Sequence, residues 1–254
     1  MKLSYKVQGE GKPLVILHGL FGSGDNWQTM ANRFAADFKV YLVDQRNHGH
    51  SPHTDEHSYR LMADDLLEFF EEHEIKDAAL LGHSMGGKTA MLFASENSYL
   101  LDKLVVADIA PKPYPPHHQH ILAALNSVDF TTMNTRKLVE AQLRNILSDD
   151  DTIFFMLKNL YWKNPGQLDW RFNVPVLSKT IADITGDGGQ QICLVDTLFV
   201  RGMNSNYITD EDQIYLDHYF PHNQLSSIDG AGHWLHAEAP DRFFEIVHGF
   251  LTGA

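Results

Sequence analysis

Short apolar runs recur along the chain at residues 14–17, 40–43, 78–81, 104–107 and 197–200, each closed by Gly, Asp or another turn former. Runs this short and this continuous suit strands buried on both faces of a sheet. Between most of them lie segments of helical length, at 26–36, 58–74 and 87–94. The alternation predicts an α/β fold, a mostly parallel central sheet flanked by helices. Near the end, 225–228 supplies a last strand. Phe243, Phe244, Val247 and Leu251 then recur at helical spacing, so 241–251 packs on the sheet as a helix. Residues 1–7 alternate like a strand.

The alternation stops between about Pro111 and Asp187. Pro111, Pro113, Pro115 and Pro116 make a rigid, non-helical exit from the strand before them. Two amphipathic stretches follow, 134–147 and 152–160, and then an aromatic-rich piece, 161–172. Gly186-Asp187-Gly188-Gly189 reads as a hinge back to strand material. This pattern predicts a helical cap, residues 113–187, inserted into a core made of 1–112 and 188–254.

At 254 residues the chain suits one large α/β domain, or one domain carrying an insertion. Its net charge of −13 argues against a nucleic-acid backbone or an anionic membrane surface as the main partner. No run approaches the ~20 apolar residues that span a bilayer. The N-terminus lacks a signal-peptide apolar region, so the expectation is a soluble cytoplasmic protein. Cys193 is the single cysteine, which excludes an internal disulfide, and it reads as buried and inert. Oligomeric state is left open.

The chemistry begins at Gly82-His83-Ser84-Met85-Gly86. This G-x-S-x-G follows an apolar run and leads into a helix, the context of a nucleophile elbow, where a strained turn exposes the serine hydroxyl above the sheet. Such a serine needs an oxyanion hole, a base and an orienting acid. An apolar strand ending in His18-Gly19 brings the Leu20 N–H beside the Met85 N–H, and two such donors can hold an oxyanion. For the base, Gly230-Ala231-Gly232-His233-Trp234 follows the last strand on a glycine-rich loop, which selects His233. His236 and Glu238 read as anchors of that loop. His117, His118 and His120 resemble a metal cluster but lack carboxylates at ligand spacing, so no metal site is expected.

These stretches, with Asp44-Gln45-Arg46-Asn47-His48-Gly49-His50-Ser51-Pro52, Asp108-Ile109-Ala110-Pro111 and Trp170-Arg171-Phe172-Asn173, resemble the α/β-hydrolases from end to end. The similarity is greatest to the small YbfF-type bacterial esterases and their mitochondrial relatives. The resemblance implies hydrolysis of small-molecule carboxylic esters with short to medium acyl chains, acyl thioesters also being candidates, without a metal or organic cofactor. Outside 170–173 the cap matches only loosely, so substrate choice does not transfer.

Most members of the superfamily place an acid just after the strand that follows the cap. Here that turn reads Arg201-Gly202-Met203-Asn204-Ser205-Asn206, with no carboxylate. Asp196 lies at the opposite edge of the sheet, and Asp210, Glu211 and Asp212 read as helix-end charges. Asp108 ends a strand at the carboxyl edge, where such sites form. The YbfF-type family likewise carries its acid in that segment. Ser205 then occupies the vacated position and can hydrogen-bond the histidine or the aspartate. Asp44, with Arg46, Asn47 and His48, reads as a structural brace. Two other classes stay open: a C–C bond hydrolase or lyase on the same triad, and a non-catalytic binding module.

Overall fold

The computed structural model describes residues 1–116 and 118–253. His117 therefore lies outside the described residues. The chain opens with β1 (Tyr5–Gln8), β2 (Lys12–Leu17), α1 (Gln28–Phe34), β3 (Phe38–Val43), α2 (Tyr59–Glu72), β4 (Ala78–His83), α3 (Met85–Glu96) and β5 (Leu101–Ala107). An insertion follows, with α4 (Gln119–Asn126), α5 (Arg136–Arg144), α6 (Asp150–Lys158), a hairpin of β6 (Leu160–Asn164) and β7 (Gln167–Trp170), and α7 (Val174–Thr185). The core resumes with β8 (Asp196–Gly202), α8 (Gln213–Tyr219), β9 (Asn223–Ile228), α9 (Leu235–Glu238) and α10 (Pro240–Thr252).

The sheet order is β1-β3-β2-β4-β5-β8-β9, parallel throughout except for β1, which pairs antiparallel with β3. The chain moves outward from β2 to β3 and returns to β4 beside β2. Their carboxyl ends therefore flank the topological switch point where α/β sheets form their sites.

Alternate residues of one strand feed opposite faces. Leu14 and Ile16 pack with Trp27, Phe34 and Phe243 under α1 and α10. Val15 and Leu17 pack with Leu66, Phe69 and Phe93 under α2 and α3. Residues buried on both faces explain why these strands are continuous apolar runs.

The insertion has a hydrophobic cluster of its own, built around Leu122, Leu143, Ile153, Leu157, Trp170 and Leu177. Its four helices and hairpin exceed the two amphipathic stretches legible in the sequence. α5 is shorter than its pattern and α6 begins two residues before its own, each start set by a side-chain cap: Thr135 Oγ1 accepts from the Leu138 N–H at 3.3 Å and Asp149 Oδ2 from the Thr152 N–H at 2.8 Å. The aromatic-rich piece is the β6–β7 hairpin, turned at Gly166 with φ +79°. α4 and α7 were not legible as helices.

Candidate active site

Ser84 joins β4 to α3 with φ 52° and ψ −117°, a conformation costly for any residue with a side chain. The turn closes because its neighbours lack side chains. A Cβ on Gly82 would sit 2.2 Å from the Gly86 carbonyl oxygen, and one on Gly86 would sit 2.5 Å from that of His18. The Ser84 N–H bonds the Ala107 carbonyl at 3.1 Å. Met85 opens α3, so its N–H has no partner within the helix and points beyond its first turn.

Leu20 follows β2 in a loop held by two buried imidazoles. His18 Nε2 accepts from the Gln45 N–H at 3.0 Å, which leaves its Nδ1–H to donate to the Gly19 carbonyl at 2.8 Å. His48 Nε2 accepts from the Phe21 N–H at 3.2 Å, and its Nδ1–H donates to the Arg46 carbonyl at 2.9 Å. Burial pushes both rings below the usual histidine range, so they stay neutral and keep these tautomers. Phe21 adopts φ 61° to complete the turn.

Asp108 follows β5 and is fully buried, with φ 50°. Its N–H continues the sheet by bonding the Val200 carbonyl at 2.8 Å. Oδ1 accepts from the Gly202 N–H at 3.2 Å, and Oδ2 accepts from His233 Nδ1–H at 2.8 Å and from the Ser205 hydroxyl. Asp196 lies at the far end of β8. Asp210 is exposed and pairs with Arg201, away from His233.

The His233 loop is fixed from several sides. Glu238 accepts from the Gly232 N–H at 2.6 Å and the Trp234 N–H at 3.1 Å. His83 Nε2–H donates to the His233 carbonyl at 2.8 Å, and burial keeps His83 well below the ordinary histidine range. Tyr207 stacks on the His233 ring with centroids 4.0 Å apart. His236 stacks on Trp27 at 4.0 Å, and burial drives it down to about 3.

The residues read from the sequence thus come together. Leu20, Ser84 and His233 line one cavity of ≈ 220 Å³, roofed by Ile121, Phe155 and Met156 of the insertion. The serine that fills the vacated acid position bonds Asp108, not the histidine. Sequence reasoning did not assign roles to His83, Tyr207 and Lys88. The first lies inside the pentapeptide, and the other two carry no local pattern. Asp44 behaves as a brace, accepting from the Gly24 N–H at 2.7 Å and the His50 N–H at 2.8 Å, while Arg46 pairs with Asp65. Cys193 is buried, and burial pushes its thiol up. Among the described residues no three His, Cys, Asp or Glu side chains are arranged to hold a metal ion, and no helix is long and apolar enough to cross a membrane.

Residues 12–240 match the family model described as alpha/beta hydrolase fold. The chain is 38% identical to "Esterase YbfF" of Escherichia coli, over 99% of this chain and 100% of that one. It is 37% identical to "sn-1-specific diacylglycerol lipase ABHD11" of Xenopus laevis, over 96% of this chain and 81% of that one. A solved structure titled "Marine microorganism esterase" superposes with a TM-score of 0.95 at 43% identity, covering 98% of this chain and 99% of that one.

Proposed function

The chain belongs to the α/β-hydrolase family and is a carboxylic-ester hydrolase, and from that premise we propose that it cleaves short- to medium-chain acyl esters through Ser84, His233 and Asp108. The observation that carries this reading is the 2.8 Å bond from His233 Nδ1–H to the buried Asp108 carboxylate, with His233 and Ser84 sharing one cavity. A carboxylate on Nδ1 leaves Nε2 as the lone-pair nitrogen, the form a general base requires.

In this mechanism His233 Nε2 takes the Ser84 proton as the serine oxygen attacks the ester carbonyl. The Leu20 and Met85 N–H groups receive the developing oxyanion, and they do so without reorganisation because their loop and helix are already fixed. The imidazolium then protonates the departing alcohol or thiol. Water repeats the sequence on the acyl-enzyme. Asp108 holds the tautomer and stabilises the imidazolium, and the Ser205 hydroxyl holds Asp108.

Residues 113–187 act as the cap in this reading, walling the acyl pocket with Ile121, Phe155 and Met156. A cavity of ≈ 220 Å³ lies below the roughly 300 Å³ at which drug-sized pockets begin, which favours short to medium chains.

Ser84→Ala tests the reading. Turnover of an aryl ester should fall by on the order of 10⁶, and labelling by a serine-directed fluorophosphonate should vanish, with the circular dichroism spectrum unchanged. Hydrolysis near the wild-type rate by the folded variant would remove Ser84 from the mechanism.

A further inference from the structure

Lys88 lies one turn beyond Ser84 on α3, its N–H bonded to the Ser84 carbonyl at 3.0 Å. Its side chain is 1% exposed, and among the described residues no carboxylate lies within ion-pair distance of it. An unpaired buried ammonium costs several kcal/mol, so its surroundings should show what it does. Nζ donates to the Lys112 carbonyl at 2.7 Å and to the Gly186 carbonyl. The first belongs to the strand of chain that leaves the core for the insertion, the second to the strand that returns. The ammonium also faces the rings of Tyr114 at 4.9 Å and Tyr59 at 5.9 Å.

Both rings are tied to the same neck. The Tyr59 hydroxyl donates to the Ile184 carbonyl at 2.7 Å, and the Tyr114 N–H donates to the Thr185 carbonyl at 2.8 Å. The Tyr114 hydroxyl donates to the Tyr207 carbonyl at 2.7 Å, and Tyr207 is the residue stacked on His233. Between neck and serine lies a space of only ≈ 20 Å³, lined by Ser84, Met85, Tyr114, Ile184 and Tyr207. A small shift of the neck therefore changes the room beside the reacting hydroxyl.

We propose that Lys88 is a specificity-determining positioning residue, whose ammonium pins both strands of the neck and so sets the height of the insertion over Ser84. An ammonium suits this task because its three donors diverge from one point. A neutral side chain of equal length fills the space and joins nothing. Burial lowers Lys88 to about 7, while Asp187 acts in the opposite direction; the two carbonyls and the ring faces also favour the charged form. The proposal rests on the esterase and cap readings above.

The test is Lys88→Met in the full-length protein, with hydrogen exchange of the Lys112 and Tyr114 amides and of 183–189 measured beside kcat and KM on p-nitrophenyl acetate and octanoate. Neck amides should exchange at least about tenfold faster as local opening becomes easier. KM for octanoate should rise roughly five- to twentyfold, with kcat on acetate held within about threefold, the signature of lost binding and not of lost chemistry. Tyr114→Phe, which cuts the tie to Tyr207, should move the octanoate KM in the same direction and carries the test if Lys88→Met fails to fold. Unchanged neck exchange, or an equal fall in kcat on both esters, would overturn the proposal, as would faster neck exchange with an unaltered octanoate KM. Wild-type protein inert to both esters would sink the esterase reading instead, and neck exchange would then decide the pin alone.

Discussion

At the carboxyl edge of the sheet, Asp108 has no exposed surface and both its oxygens are hydrogen-bonded. In the insertion, Phe154 and Trp162 are 45% and 59% exposed, and its share of the cavity wall sets Ile121, Phe155 and Met156 beside His118, His120 and Thr152. The edge is held by directional bonds whose loss leaves buried polar groups unsatisfied. The interior of the insertion is held by contacts between apolar side chains, which tolerate exchange of volume. The difference assigns precision to the edge and adaptability to the roof. Each half of that contrast can be broken separately.

After Ser84→Ala itself, the largest effect is expected at Asp108. Asp108→Asn keeps the size but offers an amide N–H to His233 Nδ1, which favours the wrong tautomer opposite Ser84. Turnover on an aryl ester should fall by about 10² to 10⁴, with the fold preserved by circular dichroism. Asp210→Asn should cost little, since that carboxylate is exposed and pairs only with Arg201. The reverse ranking would place the acid after β8.

Stability should also fall as pH drops. His18, His48, His57, His83 and His236 all have folded-state values lowered by burial from the ordinary 6.5, to about 4 for His57 and about 3 for His236. Above 6.5 these rings are neutral in both states and contribute no pH dependence. Below it the unfolded chain binds protons that the folded protein excludes, so stability drops until the folded-state values are reached. About three to five protons should be taken up on unfolding near pH 5.5, each worth ~1.4 kcal/mol per pH unit. Urea unfolding across pH 7.5 to 5 measures the slope, and a flat profile would mean that these rings are charged in the folded protein.

A smaller loss is expected from Ser205→Ala. It removes one of three bonds to Asp108 and should lower turnover roughly tenfold, close to the value of one hydrogen bond. A loss as large as that of Asp108→Asn would make the serine part of the chemistry itself. Smallest of all, Phe155→Ala should change chain-length selectivity by up to about fourfold for each methylene it had covered, from ~0.8 kcal/mol per buried methylene. Acetate hydrolysis should stay within about twofold. An equal fall on acetate and octanoate would show that the roof belongs to the edge's machinery.

Reading the sequence succeeded where structure is local. The apolar runs gave five of the six parallel strands of the sheet, because burial on both faces leaves an unbroken signature; β9, half-exposed at the sheet edge, carries none. The insertion was harder: α4 and α7 pack partly on each other, and the hairpin's aromatic residues alternate too briefly to mark strands. Of the five lowered histidines, only position decides which is which, since 15 histidines look alike in the chain.

The sequence by itself determined the elbow, since strand, glycines, serine and helix are contiguous and the turn is fixed by backbone sterics alone. It also narrowed the acid to a few carboxylates. Only the tertiary structure shows which of them is bonded to His233, because Asp108 meets partners 97 and 125 residues away, at Ser205 and His233. The same holds for Lys88, whose carbonyl partners lie 24 and 98 residues distant. Hydrogen bonds between residues so far apart are made by the closure of the sheet and the return of the insertion, and no local pattern records them.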